Sequence, residues 1–164
     1  DKDKYNINDS LYLFGIIFFL GYAFLNIIEI RNISIVKCIY IFVIAFITDT
    51  YAYISGMLIG KHRFTDISPK KTIEGCLIGG IMGSFIGSMF YYSLVGDLSI
   101  IKTIIMSIVL VFLSETGDLI FSSIKRYFGK KDYSNIIPGH GGILDRFDSV
   151  VFVSLGMLIM LGIL

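Results

Sequence analysis

Five separate stretches of this chain are apolar enough to lie in a lipid bilayer, and no other feature restricts its fold as strongly. Spanning takes about 20 apolar residues, because a helix rises about 1.5 Å per residue through a hydrocarbon core about 30 Å thick. Residues 11–28 carry no charge, 38–60 only Asp49, and 76–96 none. Residues 98–114 contain only Lys102, near one end where its stem can reach the interface. Residues 149–164 are uncharged but short, as though the chain stops at the far face. Hydrocarbon cannot hydrogen-bond the backbone, so each run must satisfy itself as a helix. An all-α integral membrane protein of about five transmembrane helices and two polar loops is predicted. The chain is 55% hydrophobic and 16% charged, whereas soluble domains run near 45–50% and about 25%.

Charge placement tests the span count independently. With five spans, the N-terminus, the 61–74 loop and the 115–148 segment share one side. That side collects eleven of the Lys and Arg residues, and only Arg31, Lys37 and Lys102 fall opposite. The asymmetry predicts that both long polar segments are cytoplasmic. Overall, 14 basic residues nearly balance 13 acidic ones, so no global field points to nucleic acid. Cys38 and Cys76 lie in separate apolar runs, read as buried small hydrophobes rather than a disulfide or zinc pair. The opening DKDKYNINDS is neither a signal nor a transit peptide, and the chain reads as part of something longer.

Polar residues at membrane depth suggest function. Asp49 shares a helical face with Tyr53, Gly56 and Gly60 and must face protein or a water-filled cavity. If the fourth helix continues past its apolar run, Glu115, Asp118, Ser122 and Lys125 form one stripe at i, i+3, i+7 and i+10. Carboxylates beside a hydroxyl suit a hard cation such as Mg²⁺, and Lys binds phosphate as a point charge. Further on, Pro138, Gly139, Gly141 and Gly142 enforce a non-helical backbone that can approach a ligand closely. Asp145 and Asp148 follow on the first turn of the last helix, flanked by His140 and Arg146.

In the other loop Ser68-Pro69 makes a turn before Lys70 and Lys71, and Thr72 opens the third helix. Both lysines share a membrane side with the carboxylates, so all could meet one polyphosphate. Gly75, Gly79, Gly83 and Gly87 stripe one face of that helix, which favours close helix packing. Gly56–Lys61 imitates a phosphate loop but lacks one spacer residue and the following Ser or Thr.

Residues 122–148 resemble the signature of the phosphatidate cytidylyltransferases, also called CDP-diacylglycerol synthases. The matching residues are Ser122, Lys125, Arg126, Lys131, Asp132, Ser134, Pro138, His140, Gly141, Gly142, Asp145, Arg146 and Asp148, without a gap. Two further blocks are similar to the same family: Asp49-Thr50-x-Ala52-Tyr53-x-x-Gly56, and Ser68-Pro69-Lys70-Lys71-Thr72-x-Glu74-Gly75. Before Gly117-Asp118 the family usually has a Ser-Gln-Leu-like run, where this chain has Ser114-Glu115-Thr116.

The resemblance implies one transmembrane catalytic domain over residues 1–164, the C-terminal part of a longer architecture in a bacterial plasma membrane. It also implies transfer of CMP from CTP to phosphatidate with release of pyrophosphate, using Mg²⁺ and allowing a second cation and a homodimer. Asp118, Asp145, Lys125, Ser122 and His140 are then the catalytic candidates. Asp118, Asp145, Asp148 and Asp49 are the metal candidates, and Lys70, Lys71, Arg126, Arg146, Gly141 and Gly142 the substrate-binding ones. The rival reading is a transporter with an ion path along Asp49 and Asp118. Its broken midplane helices and repeats are not evident in the sequence.

Overall fold

The computed structural model describes residues 6–65, 67–134 and 141–163. Within them lie five helices: α1 (Ile7–Ile33), α2 (Ile35–Ile59), α3 (Ile73–Leu94), α4 (Ile100–Tyr127) and α5 (Leu144–Ile163). All five are long and apolar enough to cross a membrane. The predicted membrane-embedded α-helical class therefore holds.

The helices run longer than the apolar stretches. α4 continues past Ser114 to Tyr127, carrying its acidic stripe outward, and α5 begins at Leu144, ahead of its apolar run. Helix ends follow backbone hydrogen bonding and capping rather than hydropathy alone. Thr72 caps α3, its hydroxyl accepting from the Gly75 amide at 3.1 Å.

Neighbouring helices in sequence are neighbours in space, and α5 returns to α1, closing a ring. α2 also reaches α4 and α5, so it contacts every other helix. Its Tyr40, Ile41, Ile44 and Ala45 are fully buried in the main apolar core with Met106, Leu110 and Met157. Polar groups are satisfied locally where Tyr40 meets α4. Tyr40 and Ser107 share a hydrogen bond at 2.7 Å, and the Ser107 hydroxyl also approaches the Thr103 carbonyl at 2.9 Å.

The closest packing is α2 on α3. A Cβ at Gly79 would lie 2.7 Å from both the Ala52 methyl and the Thr48 carbonyl, and one at Gly75 would lie 2.6 Å from the Ala52 carbonyl. Hydrogen at these positions lets the two backbones touch. Gly56 and Gly60 similarly leave room for the Thr72 side chain. The glycine stripe is thus a packing device, and it fixes where the start of α3 sits against the end of α2.

Gly79→Leu should force α2 and α3 apart, costing about 1–3 kcal/mol as overpacked cores do. Gly15→Leu, whose Cβ meets nothing within 4 Å, should not. Thermal unfolding of both variants in detergent checks the contrast; equal midpoints would contradict it.

Candidate functional site

The predicted stripe on α4 forms, and two of its members, Asp118 and Lys125, pair with charges from other elements. Asp118 Oδ2 pairs with Lys71 Nζ at 2.6 Å, and its Oδ1 accepts from the Ser122 hydroxyl at 3.3 Å. Lys125 Nζ pairs with Asp145 Oδ1 at 2.8 Å and lies 3.9 Å from Asp148 Oδ2. Glu115 sits one turn deeper, its Oε1 buried and without a hydrogen-bond partner among the described residues. From α2, Asp49 Oδ2 accepts from the Ser149 hydroxyl at 3.2 Å. Four elements therefore converge: the end of α2, the start of α3, the end of α4 and the start of α5.

Negative charge predominates where they meet. Asp49, Glu115 and Asp148 each feel the Asp118 carboxylate. Lys71 answers them. Burial alone would lower its pKa, but Asp118 through charge and hydrogen bond, and Asp49 behind it, hold the ammonium above the ordinary lysine value. Asp49, Tyr53, Lys70, Lys71, Cys76 and Asp118 line a cavity of about 190 Å³. A second cavity of about 370 Å³ lies against Lys125, Lys130, Asp132 and Ser134.

Two loops frame these cavities. In the α2–α3 loop Arg63 and Thr72 form an isolated antiparallel bridge, with Phe64 N donating to the Lys71 carbonyl at 2.9 Å. Glu74 ties the loop to α3. Its Oε2 accepts from the Lys61 and His62 amides at 3.2 and 3.3 Å, and its Oε1 lies 2.6 Å from His62 Nδ1. In the α4–α5 loop Asp145 is the anchor, its Oδ2 accepting from the Tyr133 and Gly142 amides at 2.9 Å each. Gly141 takes φ +80°, a left-handed conformation that disfavours a side chain, and a Cβ on Gly142 would collide with Ser134. Arg126 joins the loops, Nε donating to the Ile67 carbonyl at 3.2 Å and Nη1 to that of Lys130 at 3.1 Å.

Of the residues singled out from sequence, Asp49, Lys70, Lys71 and Asp118 meet in one cavity, and Ser122, Lys125, Asp145 and Asp148 adjoin it. Arg146 is exposed on the first turn of α5. Pro138, Gly139 and His140 lie outside the described residues.

Three contributors gained their roles only in the structure, although Glu74 stands in a matching block. Ser149 holds Asp49, Glu74 braces a loop, and Tyr133 gives its amide to Asp145 while its ring lies 5.3 Å from Lys125 Nζ. Burial first, then nearby charge that includes Asp145 and Asp148, pushes the Tyr133 hydroxyl up to about 12. The signal for Ser149 was only its place beside Asp148. Nothing in the spacing pointed to Tyr133.

Among the described residues no three His, Cys, Asp or Glu side chains form a ready metal cage. Mg²⁺ seldom needs one, since one or two carboxylates commonly hold it together with water and substrate phosphates. The donor chemistry of Asp118, Asp148 and Asp49 fits such an ion.

The family model described as the cytidylyltransferase family matches residues 2–164. The phosphatidate cytidylyltransferase of Staphylococcus saprophyticus is 38% identical over 154 residues, and that of Staphylococcus haemolyticus 40% over 154. The Staphylococcus aureus protein of that name is 39% identical over 157 residues. In each case 93% of this chain is covered, and the chain spans 59% of the relative's length.

Asp145→Asn should loosen the α4–α5 loop, because it removes the charge opposite Lys125 and weakens two amide hydrogen bonds. Charge-assisted hydrogen bonds contribute about 1.5–3 kcal/mol each, so tryptic cleavage at Lys130 and Lys131 should accelerate about tenfold or more. An unchanged cleavage rate would show that Asp145 does not hold the loop.

Proposed function

The chain belongs to the cytidylyltransferase family, and from that premise we propose that the protein containing it is a phosphatidate cytidylyltransferase, joining CTP and phosphatidate into CDP-diacylglycerol with release of pyrophosphate. The observation that carries this reading is the convergence of Lys71, Asp118 and Asp49 on one cavity at the polar end of a membrane-spanning helix ring. A lipid phosphate can reach that level without its tails leaving the bilayer. A soluble nucleotide can reach it from the loops.

The chemistry asked of these residues is chiefly positioning. A phosphatidate oxygen attacks the α-phosphorus of CTP while the bond to pyrophosphate breaks. The attacking oxygen is already anionic, so no strong base is required. Lys70, Lys71, Lys125 and Arg146 are suited to gather phosphate oxygens, and Ser122 and His140 to orient groups by hydrogen bonding. Bound Mg²⁺ would offset the charge that develops on the phosphates. Asp118 and Asp148 are the carboxylates best placed to hold it, with Asp49 next. Both Asp145 oxygens already serve Lys125 and two loop amides, which supports its role as the loop's anchor. An ion path finds less support, since the carboxylates gather at one end of the ring beside ammonium groups.

The full-length protein should convert labelled CTP into a chloroform-soluble product only when phosphatidate and Mg²⁺ are both present. Asp118→Asn should lower that rate on the order of 100-fold or more, the loss of several kcal/mol expected when a metal-held phosphate loses its ligand. No product from the unaltered protein would overturn the activity, and near-normal turnover by the variant would remove Asp118 from the metal site.

We place the polar end on the cytoplasmic face of a bacterial plasma membrane, following the charge asymmetry. A cysteine at Ser68 should then react with an impermeant maleimide only in inverted vesicles. Labelling in intact cells would reverse the orientation.

A further inference from the structure

A long apolar groove runs between α3 and α4 on the outside of the helix ring. Its volume is about 510 Å³, and its walls include Leu77 and Ile81 from α3 and Ile108 and Phe112 from α4. These four are exposed large hydrophobic side chains. Cys76, Gly80 and Ser84 supply small side chains between them. The Ser84 hydroxyl donates to the Ile81 carbonyl at 3.0 Å, which leaves the groove without an unspent donor there.

The groove does not end in lipid. At its polar end Cys76 lines both the groove and the cavity that contains Lys70, Lys71 and Asp118. Glu115 marks the same transition, lining the groove while feeling the charges of Lys71, Asp49 and Asp118. From Ile73 to Ser84 the groove follows about 16 Å of helix, close to the roughly 15 Å depth of one leaflet's hydrocarbon.

An apolar furrow of leaflet depth, capped by two lysines, complements an anionic lipid: tail below, phosphate above. We infer that an acyl chain of the phosphatidate substrate lies in the α3–α4 groove, which brings its phosphate to Lys70 and Lys71, and that Gly80 keeps the groove open. This rests on the proposed activity and specifies how the lipid enters the site.

A second groove of about 490 Å³ lies among α1, α4 and α5, and it competes for the same role. There Tyr133 stands between the groove and the Lys125 cavity, its hydroxyl donating to the Phe121 carbonyl at 3.2 Å. That groove meets the cavity of Lys125, Lys130 and Asp132, whereas the α3–α4 groove meets the one that holds Lys70, Lys71 and Asp118.

A Cβ on Gly80 would make only ordinary contacts, 3.6 Å to Val111 Cγ1 and 4.0 Å to Glu115 Oε1, so filling the groove need not disturb the helices. In the full-length protein, Gly80→Leu should raise the ratio of KM for dioleoyl to KM for dihexanoyl phosphatidate about tenfold, with Gly80→Ala intermediate, since one methylene in an apolar site changes discrimination by about tenfold or more. Gly15→Leu, which fills the other groove, should leave that ratio unchanged. Independently, phosphatidate bearing an acyl-chain diazirine should label peptides from residues 73–84 and 108–115 of the unaltered protein. Labelling confined to α1 and α5, or an equal ratio in all variants, would overturn the inference. Failure of the unaltered protein to form any cytidine lipid would instead overturn the activity, and the crosslink reads lipid position without it.

Discussion

Lipid cannot solvate a carboxylate, and the polar end of this molecule is built around that constraint. Asp49, Asp118 and Asp148 lie within helices long and apolar enough to span a membrane, so each must find a partner in the protein. Lys71 reaches Asp118 from just before α3, Lys125 joins α4 to Asp145 on α5, and Ser149 of α5 reaches Asp49 on α2. These contacts link α3 to α4, α4 to α5 and α5 back to α2. The glycine-lined α2–α3 contact closes the circuit. The site is therefore the means by which four elements are held together at that end, as well as the place where a ligand can bind.

Packing and charge depend on one another here. Hydrogen side chains at Gly56, Gly60 and Gly75 let Thr72 lie directly against α2. That contact sets the position of the adjacent Lys71, whose ammonium must reach both the Asp118 carboxylate and the field of Asp49. A bulkier residue at Gly60 or Gly75 would press on Thr72 and so displace the adjacent lysine. Likewise Gly117 sits against α5, where a Cβ would come 3.0 Å from the Asp148 carbonyl, so the spacing of Asp118 from Asp148 also follows from a glycine contact.

The five spans were legible because hydrocarbon thickness imposes a length that the sequence must meet. Their ends were less so, since α4 passes from apolar to charged residues without breaking, and only backbone bonding decides where it stops. The Glu115–Asp118–Ser122–Lys125 stripe could be read from helical period alone. Which neighbour each member meets could not, because that depends on the rotation of α3 and α5. Arg126 shows the difference: its place in the motif suggested substrate, whereas its guanidinium donates to two loop carbonyls. Tyr133 contributes through a backbone amide, which leaves no trace in residue type, and Ser149 gained its role only when α5 approached Asp49.

Two buried ammonium groups do not neutralise Asp49, Glu115, Asp118, Asp145 and Asp148. Asp145 and Lys125 largely satisfy each other, which leaves Lys71 and the more exposed Lys70 facing Asp49, Glu115, Asp118 and Asp148. A bare polyphosphate entering the 190 Å³ cavity would therefore meet net negative charge, and Coulomb repulsion strengthens as the surroundings lose water. A nucleotide accompanied by a divalent cation meets the opposite balance, because the carboxylates then attract what they would otherwise repel. Lys71 and Lys125 complement them. Each already holds a carboxylate at hydrogen-bond distance and can share that contact with an arriving phosphate oxygen without crossing the site. The acidic excess thus favours a metal-bearing anion, and the paired lysines keep that excess compatible with a folded helix ring until such a ligand arrives.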